Sequence, residues 1–398
     1  MRDSTIIFCF SDHGEGLPRA KGSALGSGHR VPFIMWIPEM YRDLTPWGSG
    51  VISDELVSFD DFGATVLALA GVEIPSYVEG VPFLPKENLE GREKKKKYVY
   101  GSCDAVDNNI ELARTVTDGR YMYTRVFTPY QPFVRWIPYY DHADIQKQMR
   151  KELASQKLND IQTEILEPRD IEYLYDLKED RWETINLAKS QEYKHIISKM
   201  RKALTKYLID NRDAHFMSEY TFNNYHLKES IYDLRMDNNF YPFKEILKTA
   251  TLCGNGEKVI EKQIKQLTNK NDFVSYWAAI GLFTQRDNLK GHTKQIIEVL
   301  PQLKFSPSLV WASAAVLNIE ESSTARECFE QVLASEDDKV AITAINALLE
   351  MNNEQAKSFM QYLEAIKEKG LKRPGADSQY MLLKQKIDGV EFVYQNYW

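Results

Sequence analysis

The sequence is poor in cysteine: four in 398 residues, Cys9, Cys103, Cys253 and Cys328, with no C-x-x-C pair among them. That spacing excludes a zinc knot and a disulfide-stapled scaffold, and it leaves the redox compartment open. No stretch approaches the roughly 20 apolar residues of a membrane span. Positive charge is not in excess either, since the formal net charge is −7. Such a balance gives no general attraction for nucleic acid or an anionic membrane, so an anionic ligand has to be held by locally placed cations. An apolar signal-peptide core is also lacking, because Met1-Arg2-Asp3-Ser4 runs straight into a strand-like segment.

What is present is ordinary in composition, 43% hydrophobic and 27% charged, with room for about two or three domains. Residues 5–11, T-I-I-F-C-F-S, form a continuously apolar run that stops at Asp12-His13-Gly14. Such a run reads as a strand buried on both faces and predicts a parallel sheet covered by helices. A second run at 31–37 ends at Pro38, and a Gly/Ser-rich loop at 14–28 joins the two. Residues 54–70 carry an amphipathic helix pattern, with Asp54 as the expected N-cap and Gly71 as the stop. Further on, 98–100 reads as a strand, and β-rich arms at 113–117 and 121–127 flank Asp118-Gly119, a strong hairpin signal. Helices are expected over 143–167 and near 190–210, followed by an Asn- and Tyr-rich connector at 212–240.

From 241 to 370 the pattern is helix after helix. Three segments resemble one another: Y-W-A-A-I-G-L at 276–282, W-A-S-A-A-V-L at 311–317 and T-A-I-N-A-L at 343–348. Their last leucines, Leu282, Leu317 and Leu348, lie 35 and 31 residues apart. That period suits stacked helical hairpins of the HEAT kind, with an irregular helical domain as the alternative.

The segment richest in chemistry is S-D-H-G-E-G-L-P-R-A-K at 11–21. Asp12 and His13 stand at the end of a strand, where open α/β sheets place their sites. Asp12 offers a hard carboxylate oxygen and His13 an imidazole, while Lys21 and Arg19 bring positive charge back over the strand end. A metal beside a cation suits stabilisation of a transferring phosphoryl or sulfuryl group. A helix cap or a buried hydrogen-bonded pair is the structural alternative.

Residues 4–38 closely resemble the central part of sulfatases in the alkaline phosphatase superfamily, in the heparan N-sulfatase-like (sulfamidase-like) subgroup. The resemblance continues through D-E-L-V-S-F-D-D-F-G-A-T-V-L-A-L-A-G-V at 54–72 and E-G-V-P-F-L at 79–84. It is seen again in R-T-V-T-D-G-R-Y-M-Y-T-R at 114–125 and L-Y-D-L-K-E-D-R-W-E-T-I-N-L-A at 174–188, so that it covers roughly residues 1–215 in consistent order. It implies that Asp12 and His13 are ligands of one divalent cation, usually calcium, and that Lys21 grips the sulfate oxygens. His13 would also serve in catalysis, contacting sulfate or protonating the leaving group. Arg30, in S-G-H-R-V-P, would shape the pocket wall, and His29 would lie in the substrate-facing loop.

Two departures qualify the resemblance. After the lysine, relatives carry a W-L-Y-D-S-G-like pattern where this chain has Gly22-Ser23-Ala24-Leu25-Gly26-Ser27-Gly28. The family's C/S-x-P-x-R segment, whose Cys or Ser becomes the formylglycine nucleophile, does not occur in the 398 residues. The expectation is a chain that begins in mid-domain, inactive alone, with half of its calcium site present and formylglycine in a missing N-terminal part.

The remaining candidates read as structural. His142, His195, His215, His226 and His292 lie in polar or helical contexts. Asp60 and Asp61, adjacent on one helix, diverge by about 100° and cannot share a substrate. The basic run 94–97 reads as a solvated loop. Arg125 and the aromatic stretch 130–140 read as a sugar subsite or as a packed linker.

The expected fold class is therefore α/β: a partial alkaline-phosphatase-like parallel sheet with a small antiparallel C-terminal subdomain, then an all-α HEAT-like repeat domain. The divisions are 1–140, 141–240 and 241–398. The expected function is hydrolysis of sulfate esters or N-sulfates. The rivals are a phosphohydrolase of the same superfamily and a non-catalytic repeat protein with a vestigial sulfatase part. Expected partners are a sulfated small molecule or glycan, and a complementing N-terminal segment or a second copy of the chain; nucleic acid is not expected. The resemblance implies a periplasmic or secreted location.

Overall fold

The structure, a computed structural model, describes residues 2–85, 96–104, 111–135, 143–225 and 229–368, together with Leu383, Lys384 and Ile387. His142, His226, residues 94–95 of the basic run and 136–140 of the aromatic stretch lie outside the described residues. The strands are β1 (Ile7–Phe10), β2 (Phe33–Trp36), β3 (Val99–Cys103), β4 (Ala113–Thr117), β5 (Tyr121–Val126) and β6 (Glu172–Asp176). The helices run α1 (Gly26–His29), α2 (Phe59–Leu69), α3 (Asp144–Ala154), α4 (Asp160–Glu164), α5 (Lys194–Asn211), α6 (Glu219–Tyr225), α7 (Ile231–Leu234) and α8 (Phe243–Ala250). They continue as α9 (Ile260–Leu267), α10 (Asp272–Thr284), α11 (Thr293–Val299), α12 (Ser306–Leu317), α13 (Ser323–Leu333), α14 (Asp338–Glu350) and α15 (Asn353–Glu368). The chain packs as two units, one of Met1–Cys103, Arg114–Arg125 and Glu172–Leu204, the other of Asp104–Ala113, Val126–Ile171 and Thr205–Trp398.

In the first unit β1 pairs with β2 antiparallel, in the register Ile7↔Trp36 to Phe10↔Phe33. This corrects the expected parallel sheet. An apolar run reports a demand for burial and carries no information on strand direction, and here the 14–28 loop simply returns the chain alongside itself. Side chains alternate across a strand, so the pair has two faces. Phe8, Phe10 and Phe33 meet Phe59 and Phe62 of α2, with Phe8–Phe62 and Phe10–Phe62 centroids 5.1 Å apart. The opposite face carries Ile7, Cys9, Ile34 and Trp36, all exposed, Ile34 by 62%.

Helix α2 starts five residues later than the pattern suggested. Its cap is Ser58, whose side chain accepts from Asp60 N–H, while Asp61 reaches back to the Ser58 N–H at 3.3 Å. This capping box satisfies two orphan donors at once, and Asp54 has no such acceptor three residues downstream. Asp61 is buried and also accepts from Val81 N–H at 2.9 Å, so it is structural as expected. Gly71, at φ +68°, ends the helix where a residue with a Cβ would be strained.

The second sheet of this unit has the order β3-β4-β5-β6. Its hairpin closes at Asp118-Gly119, where Asp118 Oδ1 accepts from Tyr121 N–H at 2.9 Å and Gly119 takes φ +93°. β5 and β6 pair antiparallel from Tyr121↔Asp176 to Arg125↔Glu172. α5 is tied to this sheet through Arg201, which donates to both Glu172 oxygens at 2.6 and 2.7 Å, while Tyr123 donates its hydroxyl to Oε1 at 2.5 Å.

The second unit is built on α8–α15. α10 and α12 are apolar around most of their circumference and almost wholly buried, which marks the interior of a helical layer rather than its surface. α12 packs on α10, α13 and α14, and α10 on α8 and α9, so that neighbours in sequence and every second helix both touch. Leu282, Leu317 and Leu348 fall in α10, α12 and α14, each fully buried. The linking segments pack here too: Phe127 meets Phe216 and Trp277, and Tyr130 meets Phe283 and Trp311. Tyr130 is therefore a core residue, the packed alternative to a sugar subsite. Each such large apolar side chain contributes roughly 1.5–3 kcal/mol by burial.

Candidate active site

β1 ends at Phe10, and Asp12-His13 form the turn that leaves it. Ser11 Oγ donates to the His13 carbonyl at 2.6 Å, and the His13 N–H donates to Asp12 Oδ1 at 3.1 Å. His13 Nδ1 lies 2.7 Å from the Gly14 carbonyl. A carbonyl only accepts, so Nδ1 carries the proton in this contact and Nε2 faces Asp12 Oδ2, 3.5 Å away. The two side chains are 82% and 39% exposed, so a carboxylate oxygen and an imidazole nitrogen stand side by side where a ligand can reach them.

The loop that follows folds back on itself. Gly14 N–H donates to Gly28 O at 3.0 Å, and Lys21 N–H to Glu15 O at 3.0 Å, which returns the Lys21 backbone to the chain two residues past His13. Glycine is required at both ends of this closure. A Cβ on Gly14 would lie 1.8 Å from Ser27 O, and one on Gly28 would lie 2.5 Å from Ala20 O. Lys21 itself is half-buried.

The Gly22–Gly28 stretch, expected as a substrate-touching loop, is largely a packed one. Ser23, Ala24, Leu25, Gly26 and Gly28 are buried. Thr115 Oγ1 of β4 donates to Ala24 O at 2.7 Å, and Cys103 Sγ of β3 to Gly22 O at 3.1 Å. His29 ends α1 with its ring against β3, where a Cβ on Gly101 would meet His29 Nε2 at 2.8 Å. Desolvation lowers the pKa of this imidazole even though the residue as a whole is exposed. Arg30 donates from Nη2 to the Arg181 carbonyl at 2.9 Å and so binds the loop after β6.

A residue without an assigned role in the sequence reading emerges here. Glu183 is 1% exposed, and its two oxygens accept from Gly26 N–H at 2.9 Å and Ser27 N–H at 3.1 Å. Burial pushes this carboxyl up from its ordinary range, against the opposing pull of the two backbone donors and of Arg19 and Arg30. Its signal was present in the W-E-T-I-N-L segment at 182–187, but nothing in the spacing told a buried acceptor from a surface acid.

The geometry thus brings Asp12, His13 and the Lys21 backbone into one closed loop, with Arg30 behind it and His29 turned to β3. Asp12 and His13 alone do not fit calcium, which takes roughly six to eight oxygen ligands. Among the described residues no group of three or more His, Cys, Asp or Glu is placed to hold a metal ion. Likewise, among them no helix is long and apolar enough to cross a membrane.

Residues 1–72, which contain this loop, match the family model for sulfatases. Among curated proteins, the chain is 31% identical over 209 residues to an ulvan-active sulfatase of Formosa agariphila, covering 52% of this chain and 33% of that protein. A second ulvan-active sulfatase of the same organism is 26% identical over 212 residues, covering 52% of this chain and 38% of that one. The match thus spans about a third of each relative's length. Among solved structures, a 2-O GAG sulfatase shares 22% identity over 54% of this chain and 38% of its own, with a TM-score of 0.35.

Proposed function

We propose that the chain is part of a sulfatase acting on sulfate esters or N-sulfates of a polysaccharide, and that its 12–30 loop supplies one wall of the sulfate site. The observation that carries this reading is the closure of that loop within the family-matched residues, which returns Lys21 to the Asp12-His13 turn. Lys21 would neutralise the sulfuryl oxygens, His13 would donate a proton to the leaving group, and Arg30 would stiffen the wall from behind. The ulvan-active relatives support a sulfated polysaccharide as substrate class. A periplasmic or secreted location follows from that reading.

Calcium and formylglycine belong to the proposal only with ligands and a nucleophile beyond those described. The bare face of Ile7, Cys9, Ile34 and Trp36 supports a complementing polypeptide or a second copy as the source. The division into 1–140, 141–240 and 241–398, and the HEAT-like reading of the last part, remain part of this proposal; the packing of every second helix supports it.

The test is a sulfate titration followed by the acylation rate of Lys21. Slowing by inorganic sulfate, lost in His13→Ala, is the expected result. Equal protection by phosphate together with turnover of an aryl phosphate, and none of an aryl sulfate, would favour a phosphohydrolase. No protection by either anion would refute the sulfate-site reading.

A further inference from the structure

We propose that Glu183 is a positioning residue for the anion-gripping loop: its carboxylate fixes the 26–28 turn and thereby the closure that sets Gly14 and Lys21. The proposal deepens the sulfatase reading and rests on it for the role of Lys21.

The contact between the two loops is reciprocal. Glu183 accepts from Gly26 and Ser27 N–H, while Arg19 Nη2 donates back to the Glu183 carbonyl at 2.5 Å and Nη1 to the Trp182 carbonyl at 3.4 Å. Arg30 adds a bond to the Arg181 carbonyl. The 180–186 loop is braced by its own bonds: Asp180 accepts from Thr184 and Ile185 N–H at 2.7 and 2.8 Å, and Asn186 is bonded to β6 through Leu174 N–H and Glu172 O. A braced base is what lets a carboxylate impose position on its partner rather than follow it.

Strain marks the same two points. Arg19 and Glu183 both take positive φ, +69° and +57°, a region that side chains other than glycine's occupy at a cost. Burying a carboxylate is costly as well unless its oxygens are bonded. Both penalties fall at one junction, so the junction is held by the bonds it makes. Those bonds continue inward. Ser27 Oγ donates to Arg19 O at 2.8 Å, Gly28 O accepts from Gly14 N–H, and Lys21 N–H reaches Glu15 O. Thr115 and Cys103 hold residues 22–24, while Glu183 takes the Gly26 and Ser27 N–H groups.

Hydrogen exchange resolved to single amides in the full chain tests this. In Glu183→Gln, one acceptor oxygen becomes a donor. Exchange at Gly26 and Ser27 is expected to rise about tenfold or more, with a comparable rise at Gly14 and Lys21. The amides of α10 and α12 are expected to be unchanged. Glu183→Ala should exceed Glu183→Gln at all four amides. Acceleration confined to Gly26 and Ser27 would make Glu183 a local cap and overturn the proposal, as would no acceleration at all. Arg120→Ala, which breaks an ion pair elsewhere in the sheet, is the control: equal acceleration there would reduce the effect to general loosening and overturn it too. Sulfate protection of Lys21 from acylation, measured on wild type and Glu183→Gln, separates the two readings. Absence of protection in wild type refutes the role of Lys21, while exchange at Gly14 and Lys21 still decides the role of Glu183.

Discussion

Ile280 and Ile34 are the same residue in two apolar elements, yet the first is fully buried in α10 and the second is 62% exposed in β2. The helical unit closes its own core: α10 and α12 are surrounded by α8, α9, α13 and α14. The β1/β2 pair has α2 against one face, where Phe10 is still 43% exposed, and its other face presents Ile7, Cys9, Ile34 and Trp36 to solvent. Apolar density thus measures how much burial an element seeks, while the neighbours decide whether it is met. Contiguous exposed apolar surface of this kind marks an interaction face more often than an accident.

Four perturbations test that contrast. The largest effect is expected for Trp311→Ala, which empties a site 1% exposed and packed on Tyr130 and Phe283; denaturant unfolding should show a loss of about 3–5 kcal/mol. Next, Arg201→Ala removes the bidentate partner of Glu172. Burial pushes this carboxyl up, but Arg201 and Tyr123 together draw it below its ordinary range. Arg201 is half-exposed, so solvent screening limits the expected loss to about 1–2 kcal/mol in the same measurement.

The third concerns pH. The hydrogen bonds of Arg120 lower the Asp176 pKa from 3.8, against the opposing effect of burial. A folded-state pKa below the unfolded one means the unfolded chain binds more protons, so this contribution is complete above the unfolded pKa and is lost as pH falls through the folded value. Melting temperature should drop on acidification below about pH 4, and Arg120→Ala should flatten that drop. A slope equally steep in the variant would remove the pair from the account. The smallest effect is expected for Ile34→Ser on the bare face, within about 0.5 kcal/mol of wild type. A larger loss that grows with protein concentration would show that the face is covered in solution.

Local chemistry was legible in the sequence and long-range geometry was not. The Asp118-Gly119 hairpin and the Gly71 stop rest on backbone preferences of one or two residues, and they stand where expected. Strand direction for residues 5–11 depends on which partner returns, and no pattern within the run encodes that. The α2 cap moved from Asp54 to Ser58 because only Ser58 has a carboxylate at the third helical position. At the site, Asp12, His13 and Lys21 were visible as residue types. The packing of 22–28 against β3 and β4, and the anchoring of that stretch by Glu183 from more than 150 positions away, arise only in the folded chain.

The closure of the 14–28 loop sets Gly14 and Gly28 apart from Gly16. At Gly14 and Gly28 any β-carbon would strike backbone oxygen, whereas at Gly16 nothing lies within 4 Å. Natural variation or a designed library is therefore confined to a short window. New side chains around Gly16 and Leu17 can be added without reopening its frame, and diversity sought two residues earlier would be spent on chains that cannot close.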